Sequence, residues 1–161
     1  MATDGDAIRV RPATTGDAGA LAEFLITIEW FKNLPADPAA RVRHVAANLS
    51  RLVDNAGHDL LVAEIGDGVI VGYLNMHRQP CLNFATPEGF ISELFIHPKH
   101  RGKGIGGELL MRAEKLAQKR GWWRLHLVNH RERDSYRRKF YESRGWTERS
   151  AMADFILNLQ E

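Results

Sequence analysis

Hydrophobic residues recur along the chain with two different periods, and each period predicts one type of element. Short apolar or alternating runs, bounded by Gly, Pro or Asp, predict strands at residues 7–11, 59–65, 69–77, 89–97 and 122–128, then from residue 146 onward and at residues 155–159. Helical spacing predicts helices over residues 15–31, 41–53, 104–120 and 134–144. The order β-α-α-β-β-β-α-β-α-β-β predicts a single α/β domain over residues 1–161, built on a mixed sheet.

The clearest local signal is a predicted hairpin in the middle of the chain. Two β-rich runs, DLLVAEI and VIVGYLNMH, flank the turn sequence Gly66-Asp67-Gly68. Glycine adopts the backbone conformations that tight hairpin turns require, so this arrangement predicts two antiparallel neighbours in the sheet. Glycines also follow two of the predicted helices, at Gly121 and Gly145, where we expect them to end the helices.

The composition narrows the class of protein without assigning a function. The 161 residues are 44% hydrophobic, which is typical of one globular domain with a core. The net charge of +2 is too small to predict nucleic-acid binding, and no apolar run approaches the ~18 residues of a membrane span. The single cysteine, Cys81, excludes an internal disulfide and, with no secretory segment, favours a cytoplasmic location. The seven histidines do not stand at ligand spacing with cysteine, so we expect no metal site.

One stretch, HPKHRGKGIGGELL, concentrates glycine and positive charge at the start of the third predicted helix. Four glycines fall within residues 102–107, and Lys99, His100 and Arg101 precede them directly. Glycine loses more backbone entropy on folding than other residues, and Ser or Asp would cap a helix well enough. A tight turn explains one or two of these glycines. The full set beside the basic residues predicts a phosphate-binding helix N-terminus.

Two other phosphate-binding patterns fit this stretch less well. A Walker A loop needs Lys and then Ser or Thr after its last glycine, whereas Lys103 lies between glycines and Gly107 follows Gly106. The spacing Gly102-x-Gly104-x-x-Gly107 matches a dinucleotide fingerprint. In that fold, however, the first glycine follows its strand closely, and here HPKHR intervenes. An NAD(P)-dependent enzyme therefore stays a minor alternative.

The wider sequence resembles a known family of enzymes. The strand ELFIHPKH leads into RGKGIGGELL, which contains Arg-x-x-Gly-x-Gly at Arg101–Gly106, and FYESRGW follows one further strand. Over Gly89–Trp146 this resembles the GNAT superfamily of acyl-CoA-dependent N-acetyltransferases. The resemblance implies the GNAT fold, with the fourth and fifth strands splayed around the cofactor. It also implies transfer of an acetyl group from acetyl-CoA to a primary amine by direct attack.

The same resemblance implies where coenzyme A binds. Its diphosphate would lie over backbone amides at the glycine loop, and Lys99, His100 and Lys103 could pair with phosphates. Its pantetheine arm would pair with the strand before the loop, as an added strand does. An N–H near Phe95 would meet the oxyanion, and Asp134 stands where many members carry Asn. The implied cofactor-binding residues are Leu94, Phe95, Ile96, Arg101, Gly102, Lys103, Gly104, Ile105, Gly106, Gly107 and Asp134.

Two residues are candidates for the proton transfers that the reaction needs. Glu93 is a carboxylate in the otherwise apolar strand SELFI, one residue before the segment implied to bind pantetheine. It could act as general base directly or through water, and the rivals for this role are His77, His97 and His126. Tyr141 in FYESRGW matches the family tyrosine that reaches the sulfur, which makes it the candidate general acid.

The family builds its acceptor site from the N-terminal helices and their loop, which here include Trp30 and Phe31. Because these two residues are adjacent, we expect one to lie in the core and one to line the pocket. The expected acceptor is a small-molecule amine or a protein amine, with no nucleic-acid or membrane partner. A homodimer is compatible with the sequence. The alternative function is an acyl-CoA-binding regulatory module without turnover.

Overall fold

The computed structural model describes residues 7–159, which form two compact units, residues 7–127 and 128–159. The first unit contains one five-stranded sheet in the order β1-β2-β3-β4-β5. Its strands are β1 (Arg9–Pro12), β2 (His58–Ile65), β3 (Val69–Gln79), β4 (Glu88–Ile96) and β5 (Leu125–Leu127). Its α-helices are α1 (Ala18–Ile26), α2 (Pro38–Val53) and α3 (Ile105–Lys119). The second unit contains α4 (Asp134–Arg137) and a 3-10 turn at Glu142–Arg144.

The sheet is mixed, as the sequence predicts. Strands β1 to β4 pair antiparallel in chain order, and β5 pairs parallel with β4. The predicted hairpin between β2 and β3 is confirmed, and Gly66 and Gly68 in its turn have φ angles of 52° and 91°. Side chains on those residues would disfavour such angles, which explains the glycines in the turn.

Helices cover both faces of the sheet in the first unit. Helices α1 and α2 pack on one face, where a shared core includes Phe24, Leu49, Val62 and Tyr73. Helix α3 packs on the other face: a Cβ added to Gly72 would lie 3.3 Å from the Leu109 side chain. Because neighbouring residues of a strand point to opposite faces, β3 contributes to both layers of the core.

Helix α1 ends earlier than predicted. It stops at Ile26 rather than continuing toward Phe31, because both the N–H and the hydroxyl of Thr27 bond to the Phe24 carbonyl oxygen, at 2.9 and 2.7 Å. A Thr side chain that bonds back to the helix in this way competes with helical propagation. Ile28 nevertheless remains buried in the core, so the predicted apolar position is correct although the element is shorter.

The start of α1 is anchored to the sheet by a partly buried ion pair. The Arg11 guanidinium donates to both carboxylate oxygens of Asp17, each at 2.8 Å, and to Glu64 at 2.8 Å. The Asp17 carboxylate also accepts the Thr14 N–H at 2.7 Å. These hydrogen bonds, above all the one from Arg11, lower the pKa of Asp17 from its usual 3.8 to about 2.

Asp17→Asn is expected to lower the free energy of unfolding by about 2 kcal/mol at pH 7, the energy equivalent of this pKa shift. Because the pKa of Asp17 is lowered in the folded state, its contribution is complete above about pH 5, where the carboxyl is ionised in the unfolded chain as well, and is lost as the pH falls through about 2. The difference between variant and wild type should therefore shrink by more than half at pH 2.5. Urea denaturation at both pH values measures it, and an undiminished difference at pH 2.5 would contradict this account.

Strand β5 is shorter than the predicted strand over residues 122–128. Trp122 is buried, and a Cβ on Gly89 would lie 2.4 Å from its ring. The backbone of Trp122 bonds to the end of α3 through the Ala117 carbonyl oxygen at 3.0 Å, so this residue belongs to the helix exit. Only Leu125–Leu127 remains for pairing with β4.

The second unit differs from the prediction in two places. The predicted helix over residues 134–144 is broken at Lys139, whose φ is 54°. Phe140 N–H bonds to the Ser135 carbonyl and Lys139 N–H to the Tyr136 carbonyl, both at 2.9 Å, which is a Schellman motif that ends α4. Gly145, with φ of 84°, ends the following 3-10 turn as predicted.

The strands predicted from residue 146 onward and at residues 155–159 are wrong for the part of the chain that the structure describes. Phe155, Ile156 and Leu157 are between 81% and 91% exposed and belong to no strand. Strand propensity forms a strand only where a neighbour completes the hydrogen-bond ladder, and no described strand pairs with these residues.

Residues 7–159 contain neither a helix that could span a membrane nor a cluster of side chains that could hold a metal ion. None of the helices there has the length and apolar character needed to cross a membrane. Within the same residues, no group of three or more His, Cys, Asp or Glu side chains could hold a metal ion.

Candidate active site

The N-terminus of α3 presents backbone N–H groups that have no partner within the helix. Its first helical hydrogen bond joins Glu108 N–H to the carbonyl oxygen of Gly104, 3.0 Å apart. Gly104 occupies the N-cap position, where no described side chain caps the helix. The N–H groups of Ile105, Gly106 and Gly107 therefore lie at the positive end of the helix dipole without helical acceptors. This donor set fits the oxygens of a diphosphate.

The four glycines of this loop divide into two pairs. Gly102 and Gly104 have φ angles of 77° and 85°, which other residues rarely adopt. A Cβ on either would meet no atom within 4 Å, so the requirement there is conformational. Gly106 and Gly107 lie inside α3, where glycine is up to about 1 kcal/mol less favourable than Ala. The turn explains the first pair, and the second pair leaves the first helical turn without side chains that would block close approach to its backbone.

Basic side chains surround this helix start. Lys99, Arg101 and Lys103 are exposed. Arg101 Nε donates to the Ile96 carbonyl oxygen at 3.3 Å, which ties the loop to the end of β4. Burial, and then the positive charges of the neighbouring basic residues, lower the pKa of His97. His97 Nδ1 accepts the Lys99 N–H at 3.2 Å, so this rival for the role of base is part of the turn.

Strands β4 and β5 pair over only part of β4. The parallel pairing covers Gly89–Ile91 opposite Leu125–Leu127, where β5 ends. The antiparallel pairing of β4 with β3 continues to Ile96. Among the described residues, the second half of β4 therefore has a strand partner on one side only, which agrees with the predicted splay.

The orientation of the backbone groups on this half of β4 follows from its ladder. The backbone N–H of His97 bonds to the Val71 carbonyl oxygen at 2.9 Å, so the backbone groups of His97 face β3. In an antiparallel ladder the direction alternates, so the N–H and C=O of Phe95 also face β3. Those of Leu94 and Ile96 face the opposite edge. The N–H on the open edge next to Phe95 therefore belongs to Leu94.

A β-bulge places Glu93 on the face of the sheet that α1 and α2 cover. Asn75 pairs with Glu93 and Met76 pairs with Ile91, so Ser92 has no counterpart in β3. The Ser92 hydroxyl donates to the Asn75 carbonyl oxygen at 3.3 Å and closes the bulge. Because paired residues share a face, Glu93 lies on the side of Asn75. In a regular strand without the bulge, Glu93 would share the face of Ile91, two residues before it, and would lie on the opposite side of the sheet.

Two side chains of β3 hold the Glu93 carboxylate. Tyr73 donates its hydroxyl proton to Oε1 at 3.1 Å, and Asn75 Nδ2 donates to Oε2 at 3.2 Å. Burial, and then the nearby Glu93 charge, raise the pKa of Tyr73 far above its usual 10, so Tyr73 remains a donor at every physiological pH. One donor on each oxygen fixes the orientation of the carboxylate and leaves lone pairs that can accept a proton.

The other two histidines that could act as base, His77 and His126, belong to a row of ring side chains on the same face of the sheet. His77 stacks on His58 and on Phe90, with ring centroids 5.2 and 5.3 Å apart, and Phe90 lies 5.0 Å from His126. Burial, and then His58, lower the pKa of His77. His126 Nε2 is 2.7 Å from Gln79 Oε1. These packing contacts explain the histidines without a catalytic role.

Trp30 and Phe31 diverge, as their adjacency predicts. The Phe31 ring packs at 4.9 Å from the Phe95 ring and belongs to the core beside β4. Trp30 is 56% exposed. Phe31 is therefore the core member of the pair, and the pocket-lining role of Trp30 stays a prediction.

The second unit holds the other predicted residues. Tyr141 packs between Phe140 and Trp146, with ring centroids at 4.9 and 5.9 Å. Burial raises the pKa of its hydroxyl above the usual 10. Asp134 is exposed, and its carboxylate lies 3.9 Å from Arg137 within α4.

Sequence reasoning missed the two residues that hold Glu93. A signal was present, because the strand VIVGYLNMH carries Tyr73 and Asn75 two positions apart, and so on one face, within an apolar run. A polar residue in such a run is expected to be buried and therefore needs a hydrogen-bond partner.

A match to a family model identifies the family of this chain. The family model described as "Acetyltransferase (GNAT) family" matches residues 22–146, which is well over half of the chain. The chain belongs to the GNAT acetyltransferase family. Membership in the GNAT family makes it an acetyl-CoA-dependent N-acetyltransferase.

Two curated GNAT relatives match most of the chain. An "Aminoalkylphosphonate N-acetyltransferase" of Salmonella typhimurium is 34% identical over 138 residues, which cover 85% of this chain and 83% of the relative. An "Uncharacterized N-acetyltransferase YhfO" of Bacillus subtilis is 27% identical over 155 residues, covering 94% and 98%.

Solved GNAT structures share the fold at lower sequence identity. An aminoglycoside acetyltransferase from an uncultured soil metagenomic sample, in complex with sisomicin, has a TM-score of 0.76 at 17% identity and covers 95% of this chain and 97% of that one. A ribosomal-protein-alanine N-acetyltransferase from Brucella melitensis has a TM-score of 0.71 at 22% identity, covering 95% and 100%. At these identities the likeness supports the fold alone.

Proposed function

We propose that this GNAT enzyme acetylates a primary amine, with Glu93 as general base and Tyr141 as general acid. The observation that carries the proposal is the placement of Glu93. The bulge at Ser92 directs it to one face of β4, at the point where β4 extends beyond β5. Tyr73 and Asn75 hold its carboxylate there.

Acetyl-CoA, whose use the family implies, supplies an activated acetyl thioester when it is bound. The N–H groups of Ile105–Gly107 would hold its diphosphate, and Lys99, Arg101 and Lys103 would add charge pairing. The N–H and C=O of Leu94 and the N–H of Ile96 would pair with the amides of its pantetheine arm. The donor set of this chain therefore fits both the anionic and the amide parts of the molecule.

Glu93 would remove one proton from the ammonium form of the acceptor, because a protonated amine has no lone pair with which to attack. The nitrogen then bonds to the acetyl carbon as the carbon–sulfur bond breaks. The Leu94 N–H is the open-edge donor that can stabilise negative charge on the carbonyl oxygen. The sulfur leaves with the Tyr141 hydroxyl proton, and the second nitrogen proton restores that hydroxyl.

Two observations support Tyr141 as the acid. It matches the family tyrosine in FYESRGW, and burial raises the pKa of its hydroxyl. A phenol with a raised pKa keeps its proton until a thiolate forms. The family match also includes residues of both compact units, which supports treating the chain as one acetyltransferase domain.

Tyr141→Phe is expected to lower kcat about a hundredfold and to change the dissociation constant of acetyl-CoA less than threefold. The substitution keeps the ring that packs on Phe140 and Trp146 and removes only the proton donor. Steady-state kinetics and isothermal titration measure the two quantities. A wild-type kcat would remove Tyr141 from the mechanism.

The activity is tested by thiol release from acetyl-CoA with a panel of amines. Because one relative is described as an aminoalkylphosphonate N-acetyltransferase, we include 2-aminoethylphosphonate beside spermidine, lysine, an aminoglycoside and an N-terminal alanine peptide. We expect acetyl-CoA to raise Tm and at least one primary amine to release thiol. A raised Tm without thiol release from any amine would support a silent binding module instead, and stabilisation by NADPH alone would contradict both.

A further inference from the structure

Asn75 carries a buried oxygen for which the described part of the chain provides no partner. The residue is 6% exposed, and its Oδ1 makes no hydrogen bond to residues 7–159. The orientation of its amide is fixed, because Nδ2 donates to Glu93 Oε2 and a carboxylate can only accept. Oδ1 is therefore the acceptor end. Buried acceptors in proteins are rarely left without a donor, so this oxygen points to a ligand.

We infer that Asn75 Oδ1 binds the acceptor amine together with Glu93, so that the site recognises a primary ammonium through two acceptors. This inference rests on the proposed role of Glu93. The geometry supports it, since Asn75 and Glu93 are paired residues of neighbouring strands on one face, with their side chains 3.2 Å apart. Oδ1 and Nδ2 belong to one planar amide, which sets Oδ1 beside the carboxylate.

The Glu93 carboxylate and the Asn75 amide oxygen would have different roles toward the amine. Glu93 can accept a proton, whereas an amide oxygen accepts a hydrogen bond and leaves the proton on nitrogen. Once Glu93 has taken one proton, Asn75 still holds the nitrogen through a second N–H. The lone pair released by the proton transfer is then kept in one direction for attack. Asn75 is thus a substrate-binding residue and determines specificity for amines.

Tyr73 provides a matched control for this role. Like Asn75 it is buried on β3, with 5% of its surface exposed, and it donates one hydrogen bond to the Glu93 carboxylate. If Asn75 serves only to orient Glu93, then removal of either donor should affect the amine in the same way. If Asn75 also binds the amine, then its removal should weaken amine binding much more.

The test is a thermodynamic cycle in which the Asn75 side chain and the amino group of the ligand are removed separately and together. We take the primary amine that the wild type turns over fastest and its analogue with CH₃ in place of NH₃⁺. Their dissociation constants are measured by titration in the presence of coenzyme A. In Asn75→Leu, which keeps the shape of the side chain, the preference for the amine over its analogue should fall at least about tenfold. In Tyr73→Phe this preference should fall less than threefold. The KM of the amine should change in the same way, rising much more in Asn75→Leu than in Tyr73→Phe.

Asn75→Asp keeps an acceptor oxygen and loses the donor to Glu93, so it should retain or increase the preference for the amine. This variant decides the question if Asn75→Leu does not fold. Equal losses in Asn75→Leu and Tyr73→Phe, or a preference lost in Asn75→Asp, would overturn the inference while turnover by the wild type keeps the proposed function. If no primary amine is turned over by the wild type, the proposed function fails, and this inference with it.

Discussion

Gly106→Glu is expected to weaken acetyl-CoA binding at least about a hundredfold without destabilising the ligand-free protein. Gly106 lies in the first turn of α3, where its N–H has no helical acceptor. A carboxylate there is favourable for the helix, because it offsets the dipole and replaces glycine by a better helix former. The same carboxylate would repel a diphosphate held over the first turn. Opposite effects on stability and affinity are thus expected from one substitution.

Isothermal titration and urea denaturation measure these two effects. Gly106→Gln is the matched control, because it adds the same bulk without the charge. We expect it to bind acetyl-CoA clearly better than Gly106→Glu, although less well than wild type. Unchanged affinity in Gly106→Glu would mean that the diphosphate does not lie over this turn. Similar losses in both variants would assign the effect to bulk rather than to charge.

Glu93→Gln is expected to lower kcat between about a hundredfold and ten-thousandfold, while the affinity for acetyl-CoA changes less than threefold. Gln has the shape of Glu but cannot take a proton from the amine. Without a base, only the free amine reacts, so the rate of the variant should keep rising from pH 7 to pH 9 as the amine loses its proton. Steady-state kinetics across this range measure both effects.

Glu88→Gln is the control for Glu93→Gln, because Glu88 lies at the start of the same strand and its carboxylate pairs with Arg124. It should keep a rate close to that of the wild type. A wild-type rate and pH profile in Glu93→Gln would show that deprotonation proceeds through water instead. A stability loss of about 1 kcal/mol in Glu93→Gln is compatible with this account, because one of its two donors then faces an NH₂ group.

The sequence could predict the parts of the molecule whose causes are local. The turn at Gly66–Gly68 and the glycine end of α3 depend on residues within a few positions, and both are present as expected. The turn before α3 is predictable for the same reason. A positive φ at Gly102 and Gly104 is a property of those residues themselves.

The parts that the sequence could not predict depend on partners far along the chain. Whether Glu93 meets Asn75 is decided by strand register and by the bulge at Ser92, and a shift of one residue would reverse it. Strand propensity at residues 155–159 likewise did not produce a strand, since propensity does not supply a neighbour. Both outcomes therefore depend on contacts between strands, which the residue pattern within one strand does not reveal.

A crystal structure with bound acetyl-CoA tests the central claim most directly. It should show diphosphate oxygens within hydrogen-bond distance of the N–H groups of Ile105–Gly107, and pantetheine amides paired with Leu94 and Ile96 on the open edge of β4. A cofactor bound away from the start of α3, or a β4 edge that pairs with protein instead of pantetheine, would contradict the account.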